Sequence, residues 1–288
     1  MGGVFMLKGD NWFTEIEDRN GIAFSLRIKQ KLHEEKTPYQ LIEIFETESF
    51  GNLMVLDGCI MLSQKENFIY HEMVSHPVLF THPNPENVLI IGGGDCGTLK
   101  EVLKHQSVRR VYQIDIDEQV TRLSEKYFPE LCVSNNDVRA ELLFVDGIKW
   151  VQQSAPQSYD VIIVDSTDPI GPGEGLFAQS FYESCHAALG ENGLLIQQSE
   201  SPLIHQLLLR DMHKSMRLAE YDDVKTFFFP QMVYPSGWWS GTIAKKQGVL
   251  SGFREQESKN NDFNCEYYNH DVHKAAFAMP SFFKNLVS

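Results

Sequence analysis

The pattern of apolar and polar residues divides the chain near residue 75. Before that point, residues 26–31, 39–47 and 52–56 alternate apolar and polar positions between turn signals, which predicts short β-strands. Asp57 and Gly58 add the signal of a tight hairpin. We therefore predict a small antiparallel β domain over residues 1–75 and a second domain over residues 76–288.

The second region has a different rhythm. After a helix predicted over residues 67–80, apolar runs alternate with stretches of helical period from Val88 onward. The predicted strands are 88–91, 108–114, 140–145, 161–164 and 194–197, and the predicted helices are 99–104, 118–127, 147–153, 176–189 (ended by Gly190) and 203–218. Residues 224–229 and 238–244 then finish the sheet as an antiparallel pair, since little room for a helix lies between them. The pattern predicts an α/β fold with a doubly wound, Rossmann-like sheet.

Composition narrows the class of protein. The chain has 288 residues and a formal net charge of −14, which argues against nucleic acid and anionic membrane surfaces as partners. No run approaches the length of a membrane span, and the N-terminus has no basic start of a secretory signal. The five cysteines are scattered and form no C-x-x-C pair, so we expect reduced thiols in a cytoplasmic protein without a zinc site.

Acidic residues follow one of the predicted buried strands. The stretch D-S-T-D-P-I-G-P-G-E covers residues 165–174, so Asp165 and Asp168 stand where the strand over 161–164 ends. Ligands of open α/β sheets bind at that edge. A loop that carries acids there is suited to covering a cationic substrate, and the alternative is a solvated turn in which Asp is common.

A glycine-rich turn follows the strand over 88–91. The stretch G-G-G-D-C-G, residues 92–97, fits G-x-G-x-x-G between a strand and a helix, a turn that NAD and S-adenosyl compounds share. Asp95 inside the loop would repel an anionic pyrophosphate, so a cationic ligand is favoured. The alternative is a tight turn in which Asp95 caps the following helix.

Two further strand ends carry acids. Asp115 lies about 20 residues beyond the glycine loop, where an acid accepts hydrogen bonds from ribose hydroxyls. Asp117 is two positions away, so the choice depends on strand register, and we choose Asp115. Asp146 with Gly147 ends the next strand, where it can face an adenine edge, cap the following helix, or do both.

Several motifs in the same order resemble the spermidine synthase (putrescine aminopropyltransferase) family. They are L-D-G (56–58), I-Y-H-E-M (69–73), H-P-N-P (82–85), V-L-I-I-G-G-G-D (88–95), D-S-T-D-P-I-G-P (165–172) and Y-P-S-G (234–237). The tail, with Y-Y-N (267–269) and A-A-F-A-x-P (275–280), is similar to that of bacterial members.

The resemblance implies a fold like that of S-adenosylmethionine methyltransferases and a role in polyamine biosynthesis. It implies transfer of an aminopropyl group from decarboxylated S-adenosylmethionine, a co-substrate, to putrescine, by a homodimer or homotetramer that uses no cofactor and no metal. Asp165 would be the general base. The amine would be bound by Tyr70, His71, Asp95, Ser166, Thr167, Asp168, Gln198 and Tyr234, and the nucleoside by Gln40, Gly92, Gly94, Asp115, Asp146, Gly147 and Pro172.

The chain departs from the family pattern in places. Cys96 stands where the family usually has Gly, Asp115 where many members have Glu, and Trp238 and Trp239 where smaller residues are usual. The stretch S-Q-K-E-N (63–67) replaces the common T-E-R-D-E. These departures bear on substrate length and affinity more than on the chemistry.

Three other functions are compatible with part of this pattern. A methyltransferase acting on a small amine fits the glycine loop and Asp115 equally well, but D-S-T-D-P and the N-terminal β domain favour aminopropyl transfer. A polyamine-binding protein without turnover is opposed by the retention of all three acids, Asp95, Asp165 and Asp168. An NAD-dependent dehydrogenase is disfavoured by Asp95.

Overall fold

The N-terminal region forms an antiparallel meander. The computed structural model describes residues 7, 9, 11–167 and 171–287, without the side chains of residues 171 and 172. Five strands pair in sequence order: β1 (Trp12–Glu17), β2 (Ile22–Lys36), β3 (Leu41–Thr47), β4 (Asn52–Leu56) and β5 (Cys59–Ser63). The predicted N-terminal antiparallel sheet is confirmed, although β2 is much longer than the predicted strand over 26–31.

The second sheet carries seven strands in the described part of the chain. They are β6 (Asn87–Gly92), β7 (Arg110–Asp115), β8 (Ala140–Phe144), β9 (Tyr159–Asp165), β10 (Leu189–Gln198), β11 (Asp223–Pro230) and β12 (Trp238–Lys245), in the order β11-β12-β10-β9-β6-β7-β8. Strands β10, β9, β6, β7 and β8 are parallel, and β12 is antiparallel to both of its neighbours. The predicted doubly wound, Rossmann-like sheet with its antiparallel pair is confirmed.

Helices cover both faces of this sheet. They are α1 (Asn67–Thr81), α2 (Gly97–Leu103), α3 (Glu118–Tyr127), α4 (Gly147–Gln153), α5 (Gln179–Ala188), α6 (Gln206–Leu218), α7 (Glu255–Lys259), α8 (His270–Ala276) and α9 (Ser281–Val287). Residues of α1, α2 and α8 share one apolar core with the sheet, and residues of α4, α5 and α6 share another. None of the helices within the described residues is long and apolar enough to cross a membrane.

Two helices join the N-terminal sheet to the second sheet. Val120 and Leu123 of α3 pack against Ile42, Ile44 and Met54 of the N-terminal sheet. Helix α1 is buried along most of its length. It runs unbroken through residue 75, where the sequence predicts the domain boundary. The position of that boundary stays a prediction.

The predicted helix over 176–189 is wrong at both ends. Ala178 is extended and separates a 3-10 helix, Gly171–Phe177, from α5. Leu189 is extended as well and pairs with Tyr159 of β9, so β10 begins where the helix was expected to continue and Gly190 lies in the strand. The predicted helix over 203–218 likewise begins later, at Gln206.

The C-terminal tail is anchored on α1. The carboxylate of Glu72, which is 2% exposed, accepts hydrogen bonds from the backbone N–H groups of Glu266 (2.7 Å), Tyr267 (2.9 Å) and Tyr268 (2.7 Å). Three donors converging on one buried carboxylate satisfy its charge without a basic partner. The end of the chain is docked too, since Phe283 is fully buried.

Candidate active site

Three parallel strands end at one edge of the second sheet with the residues that the sequence singles out. Gly92 is the last residue of β6, Asp115 of β7 and Asp165 of β9, and Asp146 lies two residues beyond the end of β8. The carboxyl ends of parallel strands lie side by side, so these side chains converge, as expected at a point where strand order reverses.

A strand-end cavity opens at this edge. Its polar lining includes the side chains or backbone of Gln40, Tyr70, Gly92, Gly94, Asp95, Asp115, Asp146, Gly147, Asp165, Ser166, Thr167 and Tyr234. Apolar side chains from both sheets complete it, among them Met54 and Leu56 of β4 and Ile114 of β7. Asp95 and Asp165 therefore share one cavity, while Asp168 lies outside the described residues, as does the side chain of Pro172.

Asp165 is held by two hydroxyl groups. The phenol of Tyr70 donates to Oδ1 (2.7 Å), and the hydroxyl of Thr98 donates to Oδ2 (2.6 Å). Burial, followed by the nearby negative charge of Asp95, raises the pKa of Asp165 above its usual range, although His71 and the two hydroxyl donors oppose the shift. The site thus contains a fixed carboxylate with an enhanced affinity for a proton.

The neighbouring acid, Asp95, is paired with His71. Nε2 of His71 lies 3.2 Å from the Asp95 carboxylate, and the N–H of Gly97 donates to Oδ1 of Asp95 (2.7 Å). Burial opposes charge on both partners, but their mutual attraction prevails, so the pKa of Asp95 is lowered and that of His71 is raised. His71 packs behind Asp95, against Gly97, and is not among the residues that line the cavity.

Gly92 allows the close approach that places Asp165. A Cβ at position 92 would lie 2.0 Å from the backbone oxygen of Asp165, and Gly92 has φ +84°. The N–H of Gly93 donates to that same oxygen (2.7 Å). A side chain at position 92 would push β6 and β9 apart at the end of the site that carries Asp165.

The two acids after β7 have separate roles. Asp115 lines the strand-end cavity, and burial raises its pKa to about 6. Asp117 faces the N-terminal sheet: it caps α3 through the N–H of Gln119 and accepts bonds from Thr37 (2.7 Å) and Gln40 (3.0 Å). The structure therefore places Asp115, the residue chosen from the sequence, at the cavity.

Asp146 both caps a helix and lines the cavity. Its Oδ1 caps α4 by accepting from the N–H groups of Ile148 (3.0 Å) and Lys149 (3.2 Å), and it lines the cavity as well. The cap and the ion pair with Lys149 overcome partial burial and lower the pKa of Asp146. The carboxylate is thereby held charged at the cavity wall.

A side cavity adjoins the strand-end cavity. The two share Met61, Tyr70, Ser166, Thr167 and Tyr234 in their linings. The side cavity is completed by Glu15, Cys59, Ile60, Gln198, Pro235 and Trp239.

The amide of Gln198 is fixed at the wall of the side cavity. It donates to the backbone oxygen of Ser166 (3.2 Å) and accepts from the indole of Trp239 (3.1 Å). The rings of Tyr70 and Tyr234, 5.9 Å apart, lie in the part of the lining that both cavities share.

Two family profiles cover most of the chain. Residues 67–257 match the spermine/spermidine synthase domain, and residues 11–64 match the spermidine synthase tetramerisation domain. The chain belongs to the spermine/spermidine synthase family. The resemblance stated from the motifs is confirmed.

Relatives and solved structures of the family match over nearly the whole chain. The chain is 59% identical to the polyamine aminopropyltransferase of Methylococcus capsulatus, over 96% of this chain and 97% of the relative, and 59% identical to that of Thioalkalivibrio sulfidiphilus, over 96% and 97%. A spermidine synthase crystallised with the transition-state analogue AdoDATO superposes with a TM-score of 0.93 at 33% identity, covering 100% of this chain and 98% of that one. Spermidine synthase from Thermotoga maritima gives a TM-score of 0.91 at 33% identity, covering 100% and 97%.

Two residues of the site, Thr98 and Glu15, were not predicted from the sequence. Thr98 touches Asp165 from the first turn of α2, and Glu15 reaches the side cavity from β1. A threonine in a helix and a glutamate in an edge strand carry no signal of their own, so only the fold reveals them. Among the described residues, no group of three or more His, Cys, Asp or Glu side chains is arranged to hold a metal ion.

Proposed function

We propose that this chain transfers the aminopropyl group of decarboxylated S-adenosylmethionine to putrescine, giving spermidine and 5′-methylthioadenosine. The observation that carries the proposal is the buried carboxylate of Asp165, which is bonded to Tyr70 where the strand-end and side cavities meet. The names of the relatives and the analogue bound to a solved neighbour support the same reaction.

The charge of the strand-end cavity suits both reactants. The donor carries a sulfonium and an ammonium group, and the acceptor is a diamine. Four carboxylates, those of Asp95, Asp115, Asp146 and Asp165, line the cavity, and its described lining contains no Lys or Arg. Charge-assisted hydrogen bonds to such carboxylates fix the pose of a cation.

The nucleoside part of the donor fits the end of the cavity near β7 and β8. Asp115 is placed to accept hydrogen bonds from the ribose hydroxyls, and Asp146 with Gly147 lies where an adenine edge would sit. The backbone of Gly92 and Gly94 lets the sulfonium region approach the sheet closely. We assign Gln40 and Pro172 to the same nucleoside site.

The diamine would occupy the side cavity and reach toward Asp165. We assign its contacts to the amide of Gln198, the phenols of Tyr70 and Tyr234, and the Ser166–Asp168 stretch. Asp95 holds the amine from the other side, and His71 keeps that carboxylate charged and oriented. With the acceptor so placed, its nitrogen attacks the carbon next to sulfur and 5′-methylthioadenosine leaves in a direct displacement.

The attacking amine must lose a proton, and Asp165 is the general base. At reference values of about 10.4 for the amine and about 3.9 for Asp, that transfer costs roughly 9 kcal/mol. Burial and the charge of Asp95 raise the pKa of Asp165, and the adjacent sulfonium would lower that of the amine, so both shifts narrow the gap. The remaining cost falls within what a general base and an aligned displacement can supply.

The assembly and location belong to the same proposal. The match of residues 11–64 to a tetramerisation domain supports a homo-oligomer, a dimer or tetramer, that is built through the N-terminal sheet. The five cysteines, none of which is in a disulfide in the described part of the chain, support a cytoplasmic enzyme.

The experiment is a product assay with two donors and several acceptors. Decarboxylated S-adenosylmethionine or S-adenosylmethionine is incubated with putrescine, cadaverine, agmatine or spermidine, and the products are identified by mass. We expect spermidine from the decarboxylated donor with putrescine. A methylated amine from S-adenosylmethionine would show a methyltransferase, and tight binding without any product would show a polyamine-binding protein.

A further inference from the structure

Two cysteines meet at the glycine-rich loop that carries Asp95. The Cys96 thiol donates to the backbone oxygen of Gly94 (3.6 Å), and the Cys132 thiol donates to the backbone oxygen of Asp95 (3.7 Å). The two thiols are neighbours, and the Cys132 thiol is the largest influence that raises the pKa of the Cys96 thiol. They thus bind consecutive carbonyl groups of a loop whose residues 94 and 95 line the strand-end cavity.

The two thiols differ in access. Cys96 is fully buried and takes a further hydrogen bond from the Gln113 amide (3.5 Å). Cys132 is half-buried, and the next residue, Val133, is 70% exposed. Cys132 is therefore the more accessible of the two thiols to a reagent in solvent.

We propose that Cys96 and Cys132 form a reversible disulfide, and that this bond inactivates the site by displacing the glycine-rich loop. The oxidant is a low-molecular-weight disulfide of the glutathione class. Disulfides inside cytosolic proteins are typically transient and redox-sensing, which fits such a pair.

The reaction balances in two exchanges. The Cys132 thiolate attacks one sulfur of the small disulfide, forms a mixed disulfide and expels one small thiolate. The Cys96 thiolate then attacks the Cys132 sulfur and expels the second. Two protein thiols are oxidised to one disulfide, while one small disulfide is reduced to two thiols. Contact with Cys132 and burial raise the pKa of the Cys96 thiol, so the second exchange speeds up as pH rises.

The bond changes the loop because bonded sulfurs are much closer than touching ones. An S–S bond is about 2.0 Å long, well inside the contact distance of two thiols. Cys96 has φ +69°, is the residue before α2 and is fully buried, so its sulfur has little free space in which to move toward Cys132 while the loop keeps its position. The hydrogen bonds to Gly94 and Asp95 are lost together, and both residues line the cavity.

The first test is independent of activity. The purified enzyme is incubated with oxidised glutathione, alkylated, digested and mapped by mass. We expect a cross-linked pair of peptides containing Cys96 and Cys132, lighter by two hydrogen atoms and cleaved by dithiothreitol. A map showing other pairs, or only a glutathione adduct on Cys59 in the side cavity, would overturn the assignment.

The second test asks whether the bond acts on the site, and it rests on the proposed aminopropyl transfer. We expect oxidation to lower kcat/KM more than tenfold, with full recovery in dithiothreitol. Cys132→Ser should match the wild type before oxidation and resist it afterward. Cys265→Ser, which removes another half-buried thiol, should remain as sensitive as the wild type. Equal inactivation of Cys132→Ser and the wild type would refute the proposed control. Binding of 5′-methylthioadenosine gives a second readout that needs no turnover.

Discussion

The phenol of Tyr70 donates a 2.7 Å hydrogen bond to Asp165 across 95 positions of the sequence. This contact joins α1 to the end of β9. The carboxylate that we assign as the base is therefore positioned by a helix that also carries His71 and Glu72. Three adjacent residues of α1 therefore hold Asp165, Asp95 and the C-terminal tail, respectively.

Replacing the base should abolish the chemistry while sparing donor binding. Asp165→Asn keeps the shape of the side chain and an oxygen that can accept from Tyr70, but it cannot take a proton from the amine. We expect kcat to fall about 10²–10⁴-fold, with little change in the affinity for 5′-methylthioadenosine, as measured by steady-state kinetics and calorimetry.

Asp160→Asn is the matched control, because Asp160 lies on the same strand and accepts from the N–H groups of Glu86 and Asn87, away from the cavity. We expect its kcat to be unchanged. Near wild-type turnover by Asp165→Asn would reject Asp165 as the base.

Removing the Tyr70 hydroxyl should shift the acid limb of the pH–rate profile. The hydrogen bonds from Tyr70 and Thr98 lower the pKa of Asp165, so losing one raises that pKa further. A hydrogen bond to a charged group contributes about 1.5–3 kcal/mol, and one pH unit corresponds to about 1.36 kcal/mol. In Tyr70→Phe we expect the limb of kcat against pH to move upward by about one pH unit.

Thr98→Val should move the same limb in the same direction, because it removes the other donor to Asp165. Tyr112→Phe removes a phenol on β7 that does not line either cavity, and it should leave the profile in place. A profile that is identical in Tyr70→Phe and the wild type would mean that this contact does not tune the base.

Nucleoside affinity should weaken in mild acid. Burial raises the pKa of Asp115 to about 6, and only its charged form can accept from both ribose hydroxyls. As the pH falls through about 6 the carboxylate of the free enzyme is protonated, so the Kd for 5′-methylthioadenosine should be flat above that value and should rise below it.

Asp115→Asn should bind more weakly at neutral pH and lose this inflection. Asp146→Asn should keep the inflection, because the pKa of Asp146 is lowered and it does not titrate near pH ~6. An inflection that survives in Asp115→Asn would assign the titration to another group.

The anchor of the tail should contribute strongly to stability. Glu72→Ala leaves three backbone N–H groups without their acceptor, and burying donors without partners costs about 1–3 kcal/mol for each group. We expect a loss of at least about 3 kcal/mol in the free energy of unfolding and faster hydrogen exchange at residues 266–268.

Glu72→Gln should fall between Glu72→Ala and the wild type, because it keeps one accepting oxygen. Glu266→Ala changes a side chain but leaves its backbone N–H in place, so exchange at residues 266–268 should stay slow. Unchanged exchange in Glu72→Ala would show that the tail is held by its apolar contacts alone.

Periodicity predicted the sheet well because buried parallel strands are continuous apolar runs, as in Val161–Val164. It misplaced both ends of the helix predicted over residues 176–189, because Leu176 and Leu189 fit a helical spacing although the backbone at Ala178 and Leu189 is extended. Apolar spacing reports which residues are buried. It does not report where a helix gives way to a strand that buries the same residues.

The acids of the site were predictable because strand ends in such sheets share one edge, and Asp95, Asp115, Asp146 and Asp165 all line the cavity there. The hydrogen-bond partners of these acids were not predictable from the sequence. Thr98 lies 67 positions from Asp165 in the sequence. Only the folded chain brings its hydroxyl, at the start of α2, to the carboxylate at the end of β9. Long-range hydroxyl contacts have no periodic signature in a single sequence.

The Glu72 anchor binds the main chain alone. Every residue except proline offers the same backbone N–H. This contact therefore places no further requirement on the side chains at positions 266–268. The tail can drift in sequence across evolution while remaining tied to the helix of the active site. The side chain that this contact does require is the carboxylate of Glu72.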